Sequence, residues 1–538
     1  RQRQMCIRDS PYKVQNSSDL KKALPSKGFL LSFRKPASSP NPTMNTYFIG
    51  YDLGSSSLKT ALVASDTGEV VAVIKTPSEE MEIQAPQSGW AEQDPERWWE
   101  CLCEGTGEIL RKTGISNEAI RGIGISYQMH GLVPLNSDGK PVRPSIIWCD
   151  SRAVSVGEST ARELGEDRCR SRLLNEPGNF TASKLRWMQL QEPELFRQTQ
   201  TILLPGDYIA YRLSGQLQTT ASGLSEGTLW DFSENQPAHW LLDHWGISSK
   251  LIPEDVHTFG LQATVSEAAA RATGLAKGTP ILYRAGDQPN NAFTLNVLEP
   301  GELAATAGTS GVLYGVTDQK EVRELKRFNH FLHVNNTPDN PRIGQLLCIN
   351  GAGIAYRWLK QQMGEVSYEE MNDLALGVPA GSEGLLCHPF GNGAERLFEN
   401  REPKAGFSGI DFNRHGRGHL CRAVLEGVAY SFRYGMEVME AGGLRFETIR
   451  AGNDNLFQAA VFTKTLAALS GKPVELYEVT GAVGAARACM VDEKGLEEVR
   501  RQTASRDYLT TVLPPADNKI LLSGYQQWKR ELNKILNL

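Results

Sequence analysis

The turn Asp52-Leu53-Gly54-Ser55-Ser56-Ser57 constrains this chain more than any other feature. It separates two apolar runs, at 47–53 and 58–65, and so predicts a buried hairpin. The tip of that hairpin carries one carboxylate and a row of backbone N–H groups. Small residues let the backbone close around phosphate oxygens, so such a tip can hold a metal-bound phosphate without a Walker lysine. A second loop of the same make-up, Ala305-Thr306-Ala307-Gly308-Thr309-Ser310-Gly311, lies between the two strands expected within Glu302 to Thr317. A repeated strand–loop–strand unit calls for two related halves with a nucleotide between them.

The surrounding pattern is α/β. A third strand at 70–76 follows the turn Asp66-Thr67-Gly68-Glu69, and Asp94-Pro95 opens a helix whose apolar stripe is Trp98, Trp99, Leu102 and Ile109. Another strand is expected at 121–127, and the middle of the chain, roughly 180–275, reads as mostly helical. In the second half a striped helix at 417–440 precedes a strand at 447–451, a helix at 455–470, a strand at 474–477 and a small-residue helix from Gly481. Residues 318–345 are polar and irregular and read as a surface insertion. The expected domains are 44–292 and 293–538. Residues 1–43 open on Arg1 and are basic and serine-rich, without sustained periodicity. They read as a disordered or spurious extension before a start at Met44, although a transit peptide shares that character.

Composition narrows the function classes. A chain of 538 residues divides into two or three domains, and 40% hydrophobic with 22% charged residues is ordinary globular composition. A net charge of -5 argues against a nucleic-acid partner, and no apolar run nears the roughly 18 residues of a membrane span. Nine scattered cysteines fit reduced thiols in a cytoplasm. Cys101 and Cys103 lack a second pair at zinc spacing and read as helix packing. No P-loop, dinucleotide fingerprint or H-E-x-x-H motif occurs, which disfavours P-loop enzymes, dehydrogenases and zinc proteases.

Several segments have residues suited to chemistry. The strand Ile281 to Gly286 ends at Asp287, where a carboxylate could face a cleft and accept a proton from a hydroxyl. A helix N-cap is the equal alternative there. Gln128-Met129-His130-Gly131 follows the strand at 121–127, and His130 alone would more often be structural. Trp148-Cys149-Asp150-Ser151-Arg152 offers an aromatic wall and charged groups of the kind that bind polyols, with an Asp150–Arg152 ion pair as the bland alternative. Ala451-Gly452-Asn453-Asp454-Asn455 combines close backbone approach with amides that can reach a ribose or base edge.

Taken in order, these motifs resemble the FGGY-type carbohydrate kinases and, within that family, are most similar to the xylulokinases. The resemblance spans about 46–530 and rests on Asp52-Leu-Gly-Ser-Ser-Ser, Gln128-Met-His-Gly, Trp148-Cys-Asp-Ser-Arg, Phe180-Thr-Ala-Ser-Lys-Leu-Arg-Trp, Ala285-Gly-Asp-Gln, Gly308-Thr-Ser-Gly and Glu426-Gly-Val-Ala. It implies two actin-like, ribonuclease-H-like domains closing on ATP and a sugar. It also implies Asp287 as general base, Asp52 near Mg²⁺, and Gly54, Ser55 and Ser56 along the first phosphate loop. Gly308 and Thr309 would form the second loop, with Gly351, Gly452 and Asn455 on the adenosine side. Gln128, Met129, His130, Asp150 and Asp287 would meet the sugar. The implied reaction is ATP-dependent phosphorylation of a ketopentose, D-xylulose to D-xylulose 5-phosphate, by a cytoplasmic protein that, like its relatives, could be a dimer. Alternatives are a family member acting on another sugar or polyol, such as ribulose, and a non-catalytic actin-like sensor. Ala451-Gly452-Asn453 and Asn179 depart from the family's common pattern.

Overall fold

Two open sheets with one strand order organise the computed structural model, which describes residues 45–321, 323–399, 401 and 403–537. The expectations for 1–43 and Met44 lie outside the described residues. The first sheet contains β1 (Tyr47–Leu53), β2 (Leu58–Ala64), β3 (Val70–Thr76), β4 (Ile120–Tyr127), β5 (Phe259–Thr264) and β6 (Pro280–Gly286), in the order β5-β6-β4-β1-β2-β3. The second contains β7 (Gly301–Ala307), β8 (Gly311–Thr317), β9 (Asn329–Leu332), β10 (Ile343–Ile349), β11 (Phe446–Gly452), β12 (Val474–Tyr477) and β13 (Tyr508–Val512), in the order β9-β10-β8-β7-β11-β12-β13.

The duplication read from the two hairpins is present in the central strands of both sheets. In the first sheet β1 pairs antiparallel with β2 and parallel with β4, and β4 pairs parallel with β6. In the second, β7 pairs antiparallel with β8 and parallel with β11, and β11 pairs parallel with β12. The first half runs three strands by hairpins, the second inserts β9 before its third central strand β10, and each adds two parallel strands by crossovers, which places the open loops of both halves at strand carboxyl ends.

The helices around these sheets include α1 (Pro95–Thr113), α2 (Thr181–Gln191), α3 (Ala221–Glu226), α4 (Asp287–Thr294), α5 (Gly353–Gln362), α6 (Arg417–Ala441), α7 (Ala460–Ser470) and α8 (Gly481–Ala488). Asp94 caps α1 by accepting the Glu96 N–H, and Gly114 ends it in a left-handed conformation at φ 67°. Its stripe of Trp98, Trp99, Leu102 and Ile109 is buried against the first sheet, and Cys101 packs with them. The middle of the chain is helical in short pieces interrupted by two- to six-residue strands.

Two expectations are corrected. The segment 318–345 is no surface insertion: β9 is buried along its length and β10 lies inside the second sheet. The small-residue helix α8, from the second half of the chain, packs on the first sheet. A Cβ placed on Gly50 would lie 2.1 Å from the Ala482 carbonyl oxygen, and one on Gly124 would lie 1.9 Å from that of Ala485. Glycines in two neighbouring strands and alanines in the helix thus let the backbones meet. The chain then returns to the second sheet through β13.

Candidate active site

Strand register brings the two acids together. Asp52 on β1 pairs with Ser126 on β4, and Ser126 pairs with Ala285 on β6. Asp287 opens α4 just past that row. Both carboxylates therefore stand at one edge of one sheet, with a single strand between them. Asp287 is partly exposed, yet burial by its surroundings, and then the nearby charge of Asp52, push its carboxyl up to about 7. Gly286 holds the N-cap position of α4, so Asp287 is free of the capping role left open by the sequence.

Asp52 is set by groups from three elements. Its Oδ1 accepts the Ser126 hydroxyl at 2.9 Å. The carboxylate lies against the start of α8, where a Cβ on Gly481 would fall 2.7 Å from Oδ2, and helix N-termini favour negative charge. Asn290 on α4 donates to the Gly481 carbonyl at 3.0 Å, tying the helix that bears Asp287 to the one beneath Asp52. Among the described residues no group of three or more His, Cys, Asp or Glu side chains could hold a metal. A lone carboxylate at a phosphate loop instead fits a Mg²⁺ ion that keeps water and phosphate oxygens as its other ligands.

The loop Gly54–Ser57 closes on itself, with the Gly54 N–H donating to the Ser57 carbonyl at 3.0 Å. Gln93 holds it from below through the Ser55 carbonyl at 2.6 Å. The second loop is seated on α5: Gly353 N–H donates to the Gly308 carbonyl at 2.9 Å and Ile354 N–H to that of Thr309 at 3.1 Å. Asn455, at φ 48°, brings its amide within 3.7 Å of where a Gly308 Cβ would be. Lys59, just past the first loop, lies close enough to lower the Asp454 carboxyl against the larger upward push of burial. Asn455 thus adjoins Gly308 in the second loop, and Gly452 lies against Asp454 on the same turn. Gly351 is packed on Pro389, whose carbonyl oxygen lies 2.0 Å from a hypothetical Cβ.

Residues 47–294 match the N-terminal domain of the FGGY family of carbohydrate kinases, and residues 303–493 match its C-terminal domain. The chain belongs to that FGGY family. A xylulose kinase of Escherichia coli strain K12 is 28% identical over 465 residues, covering 85% of this chain and 92% of the relative. An L-xylulose/3-keto-L-gulonate kinase of the same strain is 29% identical over 460 residues, covering 83% and 88%. The crystal structure of xylulose kinase from Rhodospirillum rubrum superposes with a TM-score of 0.80 at 26% identity, covering 91% of this chain and 99% of that one. The two-domain, actin-like fold of FGGY kinases is the fold described above.

Two residues expected at the sugar have partners within the protein. Both Asp150 oxygens are taken by Arg152 and by the Ala91 N–H, at 2.6 to 2.9 Å, so the ion-pair alternative is what forms. Arg152 stacks over Trp90 at 3.7 Å. Gln128 is buried and gives its amide to Gln93 at 3.1 Å, which makes it a support for the first phosphate loop. Met129 lies at the turn before Asp287, where a Cβ on Gly286 would stand 2.6 Å from its side chain, and His130 is the next residue. His130 adopts φ 61°, which is unusual for a residue with a side chain. Lys184 on α2 holds that conformation by donating to the His130 carbonyl at 2.7 Å. Burial brings the Lys184 ammonium down to about 8. The sequence contained Lys184 within a recognised motif but gave no sign that its ammonium would be buried against this loop.

Proposed function

We propose that this FGGY kinase transfers the γ-phosphoryl group of ATP to a ketopentose, converting D-xylulose to D-xylulose 5-phosphate. The observation that carries this reading is the pairing of Asp287 and Asp52 at one sheet edge, with Met129 at the turn before the first and the loop at 54–57 following the second. Phosphoryl transfer needs alignment, charge neutralisation and a proton acceptor. A sugar hydroxyl oxygen bonds the γ-phosphorus, the bond to the β–γ bridging oxygen breaks, ADP leaves and the hydroxyl proton passes to Asp287. Mg²⁺ bound with the nucleotide would neutralise phosphate charge, with Asp52 as its protein ligand. The loops at 54–57 and 308–310 supply N–H donors from the two halves, so drawing the halves together orders the phosphates and excludes water.

The similar identities to a xylulose kinase and to an L-xylulose/3-keto-L-gulonate kinase give weight to a second acceptor within the same reaction class. A coupled ADP-release assay with D-xylulose, L-xylulose, ribulose, 3-keto-L-gulonate and glycerol separates the readings. D-xylulose is expected to give the highest kcat/KM. ADP release with none of them would overturn the proposal.

A further inference from the structure

Glu226 ends α3 and is 1% exposed, yet it reaches the two segments that matter most in the acceptor site. Its Oε1 faces the His130 N–H at 3.4 Å, and its backbone carbonyl meets the His130 ring at Nδ1, at 2.9 Å. Its Oε2 presses on the turn before Asp287, 2.4 Å from where a Cβ on Gly286 would stand. One residue thus touches the His130 loop twice and the Gly286–Asp287 turn once.

The ring contact fixes a tautomer. A carbonyl oxygen only accepts, so Nδ1 carries the proton and Nε2 carries a lone pair. Burial, with the Lys184 charge beside it, brings His130 down to about 3, so the ring stays neutral at working pH. Phe180 and Phe331 flank the ring at 4.7 and 5.4 Å between centroids, which limits its rotation. Among the described residues Nε2 has no hydrogen-bond partner, and it is not among the sealed-off polar atoms. It is an open acceptor one residue past Met129, whose side chain packs at the Gly286 turn.

We propose that Glu226 is a positioning residue for the acceptor sugar: its backbone carbonyl holds His130 in the Nδ1–H form, so that Nε2 accepts a sugar hydroxyl, while its side chain supports the His130 N–H and seats the turn that presents Asp287. This rests on the kinase reading above. The charged and titratable groups facing Glu226 are Asp287, Asp207, Tyr127, Tyr314 and Lys184. Burial first, and then the Asp287 charge, hold the Glu226 carboxyl well above the usual range, which favours its uncharged form. An uncharged acid can accept the His130 N–H through its carbonyl oxygen, and so can a glutamine amide.

The experiment compares Glu226→Ala and Glu226→Gln with the unaltered chain, measuring KM for sugar and for ATP, kcat/KM against pH, and the ring tautomer of His130 by ¹⁵N NMR on histidine-labelled protein. Glu226→Ala is expected to raise the sugar KM about tenfold, the weight of one lost hydrogen bond, while the ATP KM stays constant. Glu226→Gln should recover most of that loss and leave the acid limb of the pH profile in place. An unchanged sugar KM in Glu226→Ala would overturn the proposal, as would a displaced acid limb in Glu226→Gln. If the alanine variant does not fold, Glu226→Gln still decides: a sugar KM near that of the unaltered chain with an unmoved acid limb supports the proposal, and a displaced limb contradicts it, as does a His130 ring protonated on Nε2 in the unaltered chain. The tautomer is read without turnover, so an inactive but correctly tautomeric protein would count against the kinase reading alone.

Discussion

At the scale of single residues, Asp287 must be ionised to accept a proton, and its surroundings resist that ionisation. A carboxyl held up near 7 makes the base weak in acid and effective above neutrality. The acid limb of kcat/KM should therefore fall off below about pH 7, well above the range of an ordinary carboxylate. Part of that elevation comes from Asp52, so Asp52→Asn should shift the limb to lower pH while also depressing kcat. Its residual activity, followed from pH 5 to 9 as a bench range, checks both effects; a limb that stays in place would remove Asp52 from the electrostatics of Asp287. Asp52 and Asp287 were legible in the sequence because each stands at the end of an apolar strand beside glycine. Glu226 was not, because it ends a six-residue helix and reaches the site only through tertiary packing. The Asp150–Arg152 ion pair was legible as one of two readings, since the two residues share a short turn.

At the scale of elements, α8 links the fold to the chemistry. Its small residues nest on Gly50 and Gly124, and its first residue lies against the Asp52 carboxylate. Gly124→Ala would place a methyl 1.9 Å from a helix carbonyl that cannot move without shifting α8. Overpacking of this kind costs about 1–3 kcal/mol. Thermal denaturation should show a Tm lower by roughly 2–4 °C per kcal/mol, on the scale of 150–250-residue domains, and kcat should fall with it. An unchanged Tm and kcat would show that the helix seat is slack. The small-residue helix could be read from the sequence, but its attachment to the opposite half could not, since periodicity gives a face without naming its partner. β9 was missed for a related reason. Asn329 and His330 look like loop residues, and they are buried because Asn175 satisfies the His330 backbone, at 2.6 Å through the carbonyl and 2.9 Å through the N–H.

At the scale of the whole molecule, α8 and β9 are two of the places where the halves meet. α8 carries the second half onto the first sheet, and β9 brings the edge of the second sheet against the acceptor side of the first. There the Leu332 N–H donates to Ser225 at 2.9 Å, and Phe331 packs on His130. Cutting the Asn175 bonds leaves a buried N–H and C=O of His330 unpaired, at about 1–3 kcal/mol for each group. Asn175→Ala should lower Tm and raise the sugar KM more than the ATP KM. Equal changes in both constants would place β9 outside the acceptor site. Duplication of the fold was legible because it repeats a hairpin and its loop. The seam between the halves was not, since it depends on side chains drawn from separate parts of the chain.

The central claim is that Asp287 receives the proton of a sugar hydroxyl as ATP gives up its terminal phosphoryl group. The most direct test is steady-state ADP release with D-xylulose for the unaltered chain and for Asp287→Asn, which keeps the shape and removes the basicity. Sugar-dependent turnover should fall by about two to four orders of magnitude in the variant, the usual weight of a general base. Turnover in Asp287→Asn equal to that of the unaltered chain would contradict the account.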